Sequence, residues 1–212
     1  MKICCISDLH GNLPELDSSD LLIIAGDICP NKYGTRNRNL DADFQYNWCN
    51  QIFLPWLSNV KAKTKVVCWG NHDFVGEGYR LPFVTDNCET IVLSNSVKIW
   101  CTPYSLEFYN WAFNCDEETL SRFTETIPQD VDIIVSHGPP KGFGDKTLRG
   151  ERVGSIAMYD AIIKYKPKLF VTAHIHEDYG LFQYHGTTIV NASLLDLSYS
   201  LVNQPIYLNM DF

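Results

Sequence analysis

The feature that most constrains this sequence is a short apolar run followed at once by side chains that can bind a metal ion, a pairing that occurs five times. The runs cover residues 3–6, 21–25, 65–69, 131–135 and 168–172. The side chains that follow them are Asp8 and His10, then Asp27, then Asn71, His72 and Asp73, then His137, and finally His174 and His176. Short apolar runs of this kind predict buried strands, and ligands bind at strand ends in α/β proteins. The pattern therefore predicts an α/β chain with a site built at the ends of its strands.

Five of the six histidines lie in these loops, which indicates a metal site even though any one of them alone would more often be a surface or core residue. Mixed nitrogen and oxygen ligands suit Mn²⁺, Fe or Zn²⁺ better than Ca²⁺. The ligands outnumber the needs of one ion, so we expect two, with a carboxylate such as Asp27 bridging cations about 3.5–4 Å apart. Such a pair holds a bridging hydroxide as nucleophile and clamps phosphoryl oxygens, which points to hydrolysis of a phosphate ester.

Composition narrows the class of protein. A length of 212 residues predicts one domain spanning residues 1–212. The net charge of −8 argues against a nucleic-acid-binding surface, although it allows an anionic substrate if metal ions supply positive charge. The eight cysteines contain no C-x-x-C pair, which is typical of free thiols in a reducing compartment and predicts a cytoplasmic protein. We expect no membrane partner, because no segment is apolar for long enough to span a bilayer and the N-terminus reads as a strand of the mature fold.

The order of elements predicts two packed sheets with helices outside them. Strands are predicted at 2–6, 21–25, 65–69, 90–93, 97–101, 131–135, 168–172, 181–184, 187–190 and 205–209, with a hairpin turn at 185–186. Helices are predicted at 41–57, 116–124 and 150–165, the first capped by Asp41 or Asp43 and kinked or ended by Pro55. Residues 30–40 form either a functional loop or a plain surface loop. The aromatic segment 104–113 either covers the core or forms a wall on which a nucleobase stacks.

The ordered motifs D-x-H, G-D, G-N-H-D, a single histidine and H-x-H together resemble those of the calcineurin-like metallophosphoesterase superfamily. Residues 136–140, 173–177 and 191–193 are similar to the branch of metallophosphoesterase-domain-containing proteins. The resemblance covers nearly the whole chain. It implies a four-layer α/β/β/α sandwich of two mixed sheets flanked by helices, with the site at one sheet edge.

The resemblance also implies a role for each matching residue. One metal would be held by Asp8, His10, Asp27 and His176. The other would be held by Asp27, Asn71, His137 and His174. His72 would stabilise charge on the phosphate or protonate the leaving oxygen, and Asp73 would orient His72. His185 matches no motif and is interpreted as structural. The chain departs from the family at Ala173, where glycine is usual.

The cofactors expected are two divalent metal ions, with Mn²⁺ favoured and Fe, Zn²⁺, Ni²⁺ or Mg²⁺ as alternatives. The expected activity is that of a phosphodiesterase on a small phosphate ester, with a nucleotide-like diester as the first choice. A phosphomonoesterase, including a protein Ser/Thr phosphatase, could use the same residues. A nucleotide-binding protein with weak turnover is a third alternative, which Ala173 favours and which the retention of His72 and Asp73 disfavours.

Overall fold

Two β-sheets packed face to face form the centre of the fold in a computed structural model that describes residues 1–85 and 87–212. The strands are β1 (Lys2–Ile6), β2 (Ser19–Ala25), β3 (Ala62–Cys68), β4 (Glu89–Val92), β5 (Lys98–Thr102), β6 (Ser105–Leu106), β7 (Asn114–Cys115), β8 (Ile133–Ser136), β9 (Leu169–Thr172), β10 (Gly180–Tyr184), β11 (Thr187–Asn191) and β12 (Ile206–Asn209). The helices are α1 (Arg38–Trp48), α2 (Leu54–Asn59), α3 (Val75–Gly78), α4 (Glu117–Thr124) and α5 (Ile156–Tyr165). The pattern of alternating strands and helices predicted most of these elements within a few residues.

The sheets are both mixed, as expected. In the described part of the chain, one sheet has four strands in the order β12-β1-β2-β3, and the other has six in the order β10-β11-β9-β8-β5-β4. Strands β1, β2 and β3 run parallel, as do β5, β8, β9 and β11, while β12, β4 and β10 lie antiparallel at the edges. The parallel strands place their carboxyl ends at one edge of the sandwich, which is where the predicted ligands follow them.

The strands are continuously apolar because each central strand buries both of its faces. In β1, Ile3 and Cys5 pack between the two sheets, against residues such as Val135 and Val171. Cys4 and Ile6 face the opposite way. The helices cover the outer faces, with α1 and α2 on the four-stranded sheet and α4 and α5 on the six-stranded sheet. These four layers confirm the predicted α/β/β/α sandwich.

The prediction for the first helix was wrong at both ends. Helix α1 begins at Arg38, because the side chain of Asn37 accepts a hydrogen bond from the backbone N–H of Leu40. Asp41 is fully buried and instead accepts hydrogen bonds from three backbone N–H groups in the preceding loop. Pro55 does not end the helix, because a π-helical turn at Cys49–Phe53 shifts the register and leaves Pro55 in the first turn of α2. A missing N–H costs no hydrogen bond there.

The third predicted helix also begins later than expected. Helix α5 starts at Ile156, where the hydroxyl of Ser155 accepts from the N–H of Met158 at 3.1 Å, and residues 150–155 are loop. The hairpin turn at His185-Gly186 is confirmed, with φ of 46° and 92° at the two positions. Left-handed conformations at both central residues are typical of a two-residue hairpin.

The cysteines, all of which lie in the described residues, are free thiols, and each is buried except the half-buried Cys88. This arrangement agrees with the interpretation that they are core residues. Within residues 1–85 and 87–212, no helix combines the length and apolarity that crossing a membrane requires.

Candidate metal centre

The loops after β1, β2, β3, β8 and β9 bring all of the predicted ligand side chains to one edge of the sandwich. Their donor atoms form three overlapping groups, each with its atoms within 4.8 Å of one another. The groups are Asp8, His10 and His176; His10, Asp27 and His72; and Asp27, His137 and His174. Asn71 joins the last group, because its Oδ1 lies 2.8 Å from Nε2 of His137.

Asp27 lies between two sets of imidazoles. Its Oδ2 is 3.6 Å from Nε2 of His10, and its Oδ1 is 3.4 Å from Nε2 of His137. The side chain is only 2% exposed, and Oδ1 also accepts the backbone N–H of His72 at 2.7 Å. A carboxylate whose two oxygens face different nitrogen donors is arranged to bridge two cations.

Asp8 is held so that one carboxylate oxygen accepts two hydrogen bonds and the other faces His176. Its Oδ2 accepts the hydroxyl of Ser193 at 2.6 Å and the backbone N–H of His174 at 3.2 Å. Its Oδ1 lies 3.4 Å from Nε2 of His176. Asp8 Oδ1 and both ring nitrogens of His10 are buried and have no hydrogen-bond partner among the described residues. Buried polar atoms are almost always paired, so Asp8 Oδ1 and one ring nitrogen of His10 fit a divalent cation bound between the two side chains.

The two histidines His137 and His176 are each fixed by a backbone carbonyl. Nδ1 of His137 lies 2.8 Å from the carbonyl oxygen of Ala25, and Nδ1 of His176 lies 3.1 Å from that of Asp196. With Nδ1 donating to a carbonyl, Nε2 of each ring is directed at the cluster as the metal-binding nitrogen. Metal-binding histidines are commonly oriented in this way.

Two glycines allow the strand ends to approach this closely. A Cβ at Gly70 would lie 2.4 Å from both the backbone nitrogen and Oδ1 of Asp27, and 2.7 Å from Cε1 of His137. A Cβ at Gly26 would lie 2.6 Å from Nδ1 of His137, and the backbone there has a φ of 101°. The glycines in the G-D and G-N-H-D motifs are therefore required by contact with the ligands themselves.

Several of the predicted ligands adopt a backbone conformation that side chains disfavour. Asp8, His10, Asp27 and His174 have φ angles of 50°, 42°, 51° and 72°. The extended geometry of β1 thus ends at Ile6 and does not continue to Asp8 and His10. Non-glycine residues at positive φ cost free energy and cluster at functional sites, so the loops are folded to aim these side chains.

Without bound metal, the carboxylates of the site raise the pKa of two of its histidines, and burial lowers the pKa of a third. Burial lowers the pKa of His137 and of His176, but Asp27 and Asp8 respectively outweigh it and raise each pKa to about 9. Burial lowers the pKa of His10 to about 4. At neutral pH, His137 and His176 therefore carry protons that cations binding at Nε2 must displace.

His72 lies beside the cluster rather than within its core. Its ring stacks on the indole of Trp111 with centroids 3.8 Å apart, and it meets the ring of His10 edge-on at 4.7 Å. Its Nδ1 contacts the side-chain amide of Asn31, and the amide oxygen is the atom that suits this contact. Nε2 is the ring atom that remains for a substrate.

The interpretation of Asp73 needs correction. Its carboxylate accepts the backbone N–H groups of Ile28, Cys29 and Gly70 at 2.8–3.2 Å, and it is fully buried. Asp73 therefore ties together the loops after β2 and β3, and these hydrogen bonds are to backbone rather than to the ring of His72. Burial and the charge of Asp27 raise its pKa to about 7.

A cavity of about 790 Å³ opens beside the centre and is lined by Asp27, Asn71, His72, His174 and His176 on its inner side. Residues 105–109 and Trp111 form one wall. In the aromatic segment, Phe113 is buried in the core, whereas Trp111 lines the cavity; the stacking of a nucleobase on this wall stays a prediction. The loop 30–40 contributes Asn31 to the site, and its Gly34 lies close to the ring of Trp111.

Sequence reasoning missed two side chains of the site, Asn31 and Tyr199. Tyr199 meets the ring of His10 edge-on at 4.6 Å and lines the cavity. Asn31 lies in the loop 30–40, where no motif distinguishes it from its polar neighbours. Tyr199 follows a run of serines and leucines near the C-terminus, in which only its aromatic character was a signal.

Comparisons with known proteins bear on these observations. A family model described as calcineurin-like phosphoesterase matches residues 1–178. The human protein named metallophosphoesterase domain-containing protein 1 (Homo sapiens) is 28% identical over 243 residues, which covers 99% of this chain and 71% of that protein.

Solved structures share the fold at low identity. The protein TT1561 of Thermus thermophilus superimposes with a TM-score of 0.59 and 14% identity, covering 98% of each chain. The phosphopantetheinyl hydrolase of Mycobacterium tuberculosis gives a TM-score of 0.57 and 16% identity, covering 91% of this chain and 88% of that one. These likenesses agree with the two-sheet sandwich.

Proposed function

The chain belongs to the calcineurin-like phosphoesterase family, and we propose on that premise that it is a two-metal phosphodiesterase acting on a small, nucleotide-like phosphodiester. The observation that carries the proposal is the position of Asp27, with one oxygen facing His10 and the other facing His137. A single-metal site would not need a carboxylate in this position.

The residues fit two cations. Asp8, His10, Asp27 and His176 would hold one, and Asp27, Asn71, His137 and His174 would hold the other. When bound, the cations would activate a water molecule and neutralise charge on the phosphoryl oxygens. The donors are nitrogen and oxygen atoms without a thiolate, which supports Mn²⁺ as the proposed metal, with Fe, Zn²⁺, Ni²⁺ or Mg²⁺ as alternatives.

His72 is the residue that would act directly on the substrate. Trp111 holds the plane of the ring and Asn31 engages Nδ1, so that Nε2 is presented to the cavity. In that position, the imidazolium form of the ring, with a proton on each nitrogen, would stabilise charge on the phosphate or donate its Nε2 proton to the leaving oxygen.

The charge of the cavity supports a diester over a monoester. Among the described lining residues, Lys141 is the one lysine or arginine, while Glu107, Glu117 and Glu177 are acidic. A diester carries one negative charge and a monoester carries up to two, so the diester needs less positive charge from the walls. A cavity of about 790 Å³ also has room for organic groups on both sides of a phosphate.

Ala173 does not weaken the proposal, because its methyl group is fully buried between the sheets rather than in the cavity. The free thiols favour a reducing compartment, and we place the protein in the cytoplasm as part of the proposal. The proposed partner is a small phosphate ester, with no membrane and no nucleic-acid polymer.

The test compares hydrolysis of bis-p-nitrophenyl phosphate with that of p-nitrophenyl phosphate after chelation and reloading with Mn²⁺. Wild type should prefer the diester, and both Asp27→Asn and His72→Ala should lower its kcat by about 100-fold or more. His185→Ala is the matched control, because His185 is an exposed histidine of the β10–β11 turn. A preference for the monoester would identify a phosphomonoesterase or protein phosphatase. Tight Mn²⁺ binding with negligible turnover of either ester would contradict the enzymatic proposal and leave a nucleotide-binding protein.

A further inference from the structure

The cavity beside the metal centre concentrates exposed apolar side chains. Among the described residues, fourteen large hydrophobic side chains are exposed, and six of them line this one cavity. They are Phe108, Tyr109, Val153, Ile156, Leu197 and Tyr199. Exposed apolar side chains scattered singly need no explanation, whereas a cluster beside a polar site marks a binding surface.

These side chains come from three separate segments that converge on the metal ligands. Phe108 and Tyr109 lie in the loop between β6 and β7, at 59% and 81% exposure. Val153 lies in the loop before α5 and Ile156 is the first residue of that helix, at 39% and 55% exposure. Because the same cavity is also lined by Asp27 and His174, an apolar group in contact with these segments would belong to the molecule whose phosphate lies at the cations.

The charged groups of the cavity walls are largely engaged within the protein. The Nζ of Lys141 donates to the backbone carbonyl of Arg152. Oε1 of Glu117 accepts from the hydroxyl of Ser155 and the N–H of Ala157 at 2.6 and 2.7 Å, and Oε1 of Glu177 accepts from the N–H of Leu148 at 3.1 Å. A second anionic group on the substrate would therefore meet acidic walls in which Lys141, the one lysine or arginine among the described lining residues, already has a partner.

We infer that the ester group that stays on the phosphate after hydrolysis is uncharged and predominantly apolar, an alkyl or aryl group that lies against Phe108, Val153 and Ile156. The inference rests on the proposed phosphodiesterase function and specifies its substrate class. Diesters of this class should be good substrates, whereas esters with a further phosphate or carboxylate group near the scissile bond should be poor ones.

The test uses diesters with the same leaving group, so that chemical reactivity is matched. Methyl, hexyl and 2-carboxyethyl p-nitrophenyl phosphate each lose p-nitrophenolate when water attacks phosphorus, which leaves the corresponding monoalkyl phosphate. We expect kcat/KM of the Mn²⁺-loaded protein to be at least about tenfold higher for the hexyl ester than for the methyl ester. The 2-carboxyethyl ester should be the poorest of the three.

Two substitutions assign the effect to the cavity wall. The double variant Val153→Thr, Ile156→Gln changes partly exposed side chains without removing buried volume, and it should reduce the hexyl-to-methyl ratio to about one. Ile163→Gln is the matched control, because Ile163 is an exposed isoleucine of the same helix and does not line the cavity. It should leave both rates and their ratio unchanged.

Binding gives a readout that does not depend on turnover. Hexylphosphonate should bind the Mn²⁺-loaded protein at least about tenfold more tightly than methylphosphonate in titration calorimetry, and the double variant should remove the difference. If no ester is hydrolysed but this difference is found, the proposed function fails and the apolar subsite stands. Equal binding and equal turnover of the alkyl series would overturn the inference while leaving a phosphodiesterase. A dimer in solution that dissociates in the double variant would overturn it too, because the apolar surface would then bind a second copy of the chain.

Discussion

Adding one methyl group at Gly70 should disable the metal centre although no predicted ligand is replaced. The new Cβ would lie 2.4 Å from Asp27 at two atoms and 2.7 Å from His137, whereas ordinary contacts begin at 3.4 Å. Asp27 must therefore move by about 1 Å, and a displacement of that size costs about 100-fold in rate at a catalytic site. Forcing the loops after β2 and β3 apart should also lower the free energy of unfolding by about 1–3 kcal/mol.

The assay for Gly70→Ala combines Mn²⁺ titration calorimetry, diester hydrolysis and urea unfolding of the metal-free protein. Mn²⁺ binding should weaken at least about tenfold. Gly78→Ala is the control, because Gly78 ends α3 and a Cβ there has no heavy atom within 4 Å. If Gly70→Ala bound Mn²⁺ and hydrolysed the diester like Gly78→Ala, then the close packing of the strand ends would not be what positions Asp27.

Three further outcomes follow from the contacts of the site. The pKa values of His137 and His176 are raised from 6.5 to about 9, so the two protonated rings stabilise the metal-free protein fully below pH 6.5 and less as the pH rises through 9. The Tm of the metal-free protein should therefore fall between pH 6.5 and 9, whereas the Tm of the Mn²⁺-loaded protein should not. Asp73→Ala should lower the free energy of unfolding by about 1–3 kcal/mol in urea titrations, because three buried N–H groups lose their acceptor. Asn31→Ala should lower kcat with little change in KM. Asn31→Asp should keep part of the kcat that Asn31→Ala loses, because a carboxylate can also accept from Nδ1 of His72. An equal loss of kcat in both variants would count against this contact.

The layers and the convergence of the expected ligand residues were predictable, because both depend on local patterns. A continuous apolar run such as 21–25 predicts a strand buried on both faces, and an aspartate directly after it must lie at the sheet edge. The ends of parallel strands meet, so side chains far apart in the chain were expected to converge. Helix starts were less predictable, because Asp41 is as good a cap by composition as Asn37 and only the folded loop decides between them.

The contacts around His72 could not be inferred from local patterns. Asp73 follows His72 directly, which suggested that it orients the ring, but the tight turn at Gly70 directs its carboxylate to backbone N–H groups instead. Asn31 reaches His72 only because Asp41 folds the intervening loop back on itself. Tyr199 arrives from the opposite end of the chain through an irregular segment with no periodicity to interpret.

The predicted ligands come from both sheets, and this has a mechanical consequence. Asp8, Asp27 and Asn71 extend from the four-stranded sheet, whereas His137 and His174 extend from the six-stranded sheet. Bound cations would therefore act as a cross-link between the halves of the sandwich, in a chain whose cysteines form no such bond among the described residues. Chelation should speed amide hydrogen exchange at the edge of the sandwich that carries the predicted ligands and leave exchange at the opposite edge unchanged. The two edges would then differ in amide hydrogen exchange only after the metal is removed.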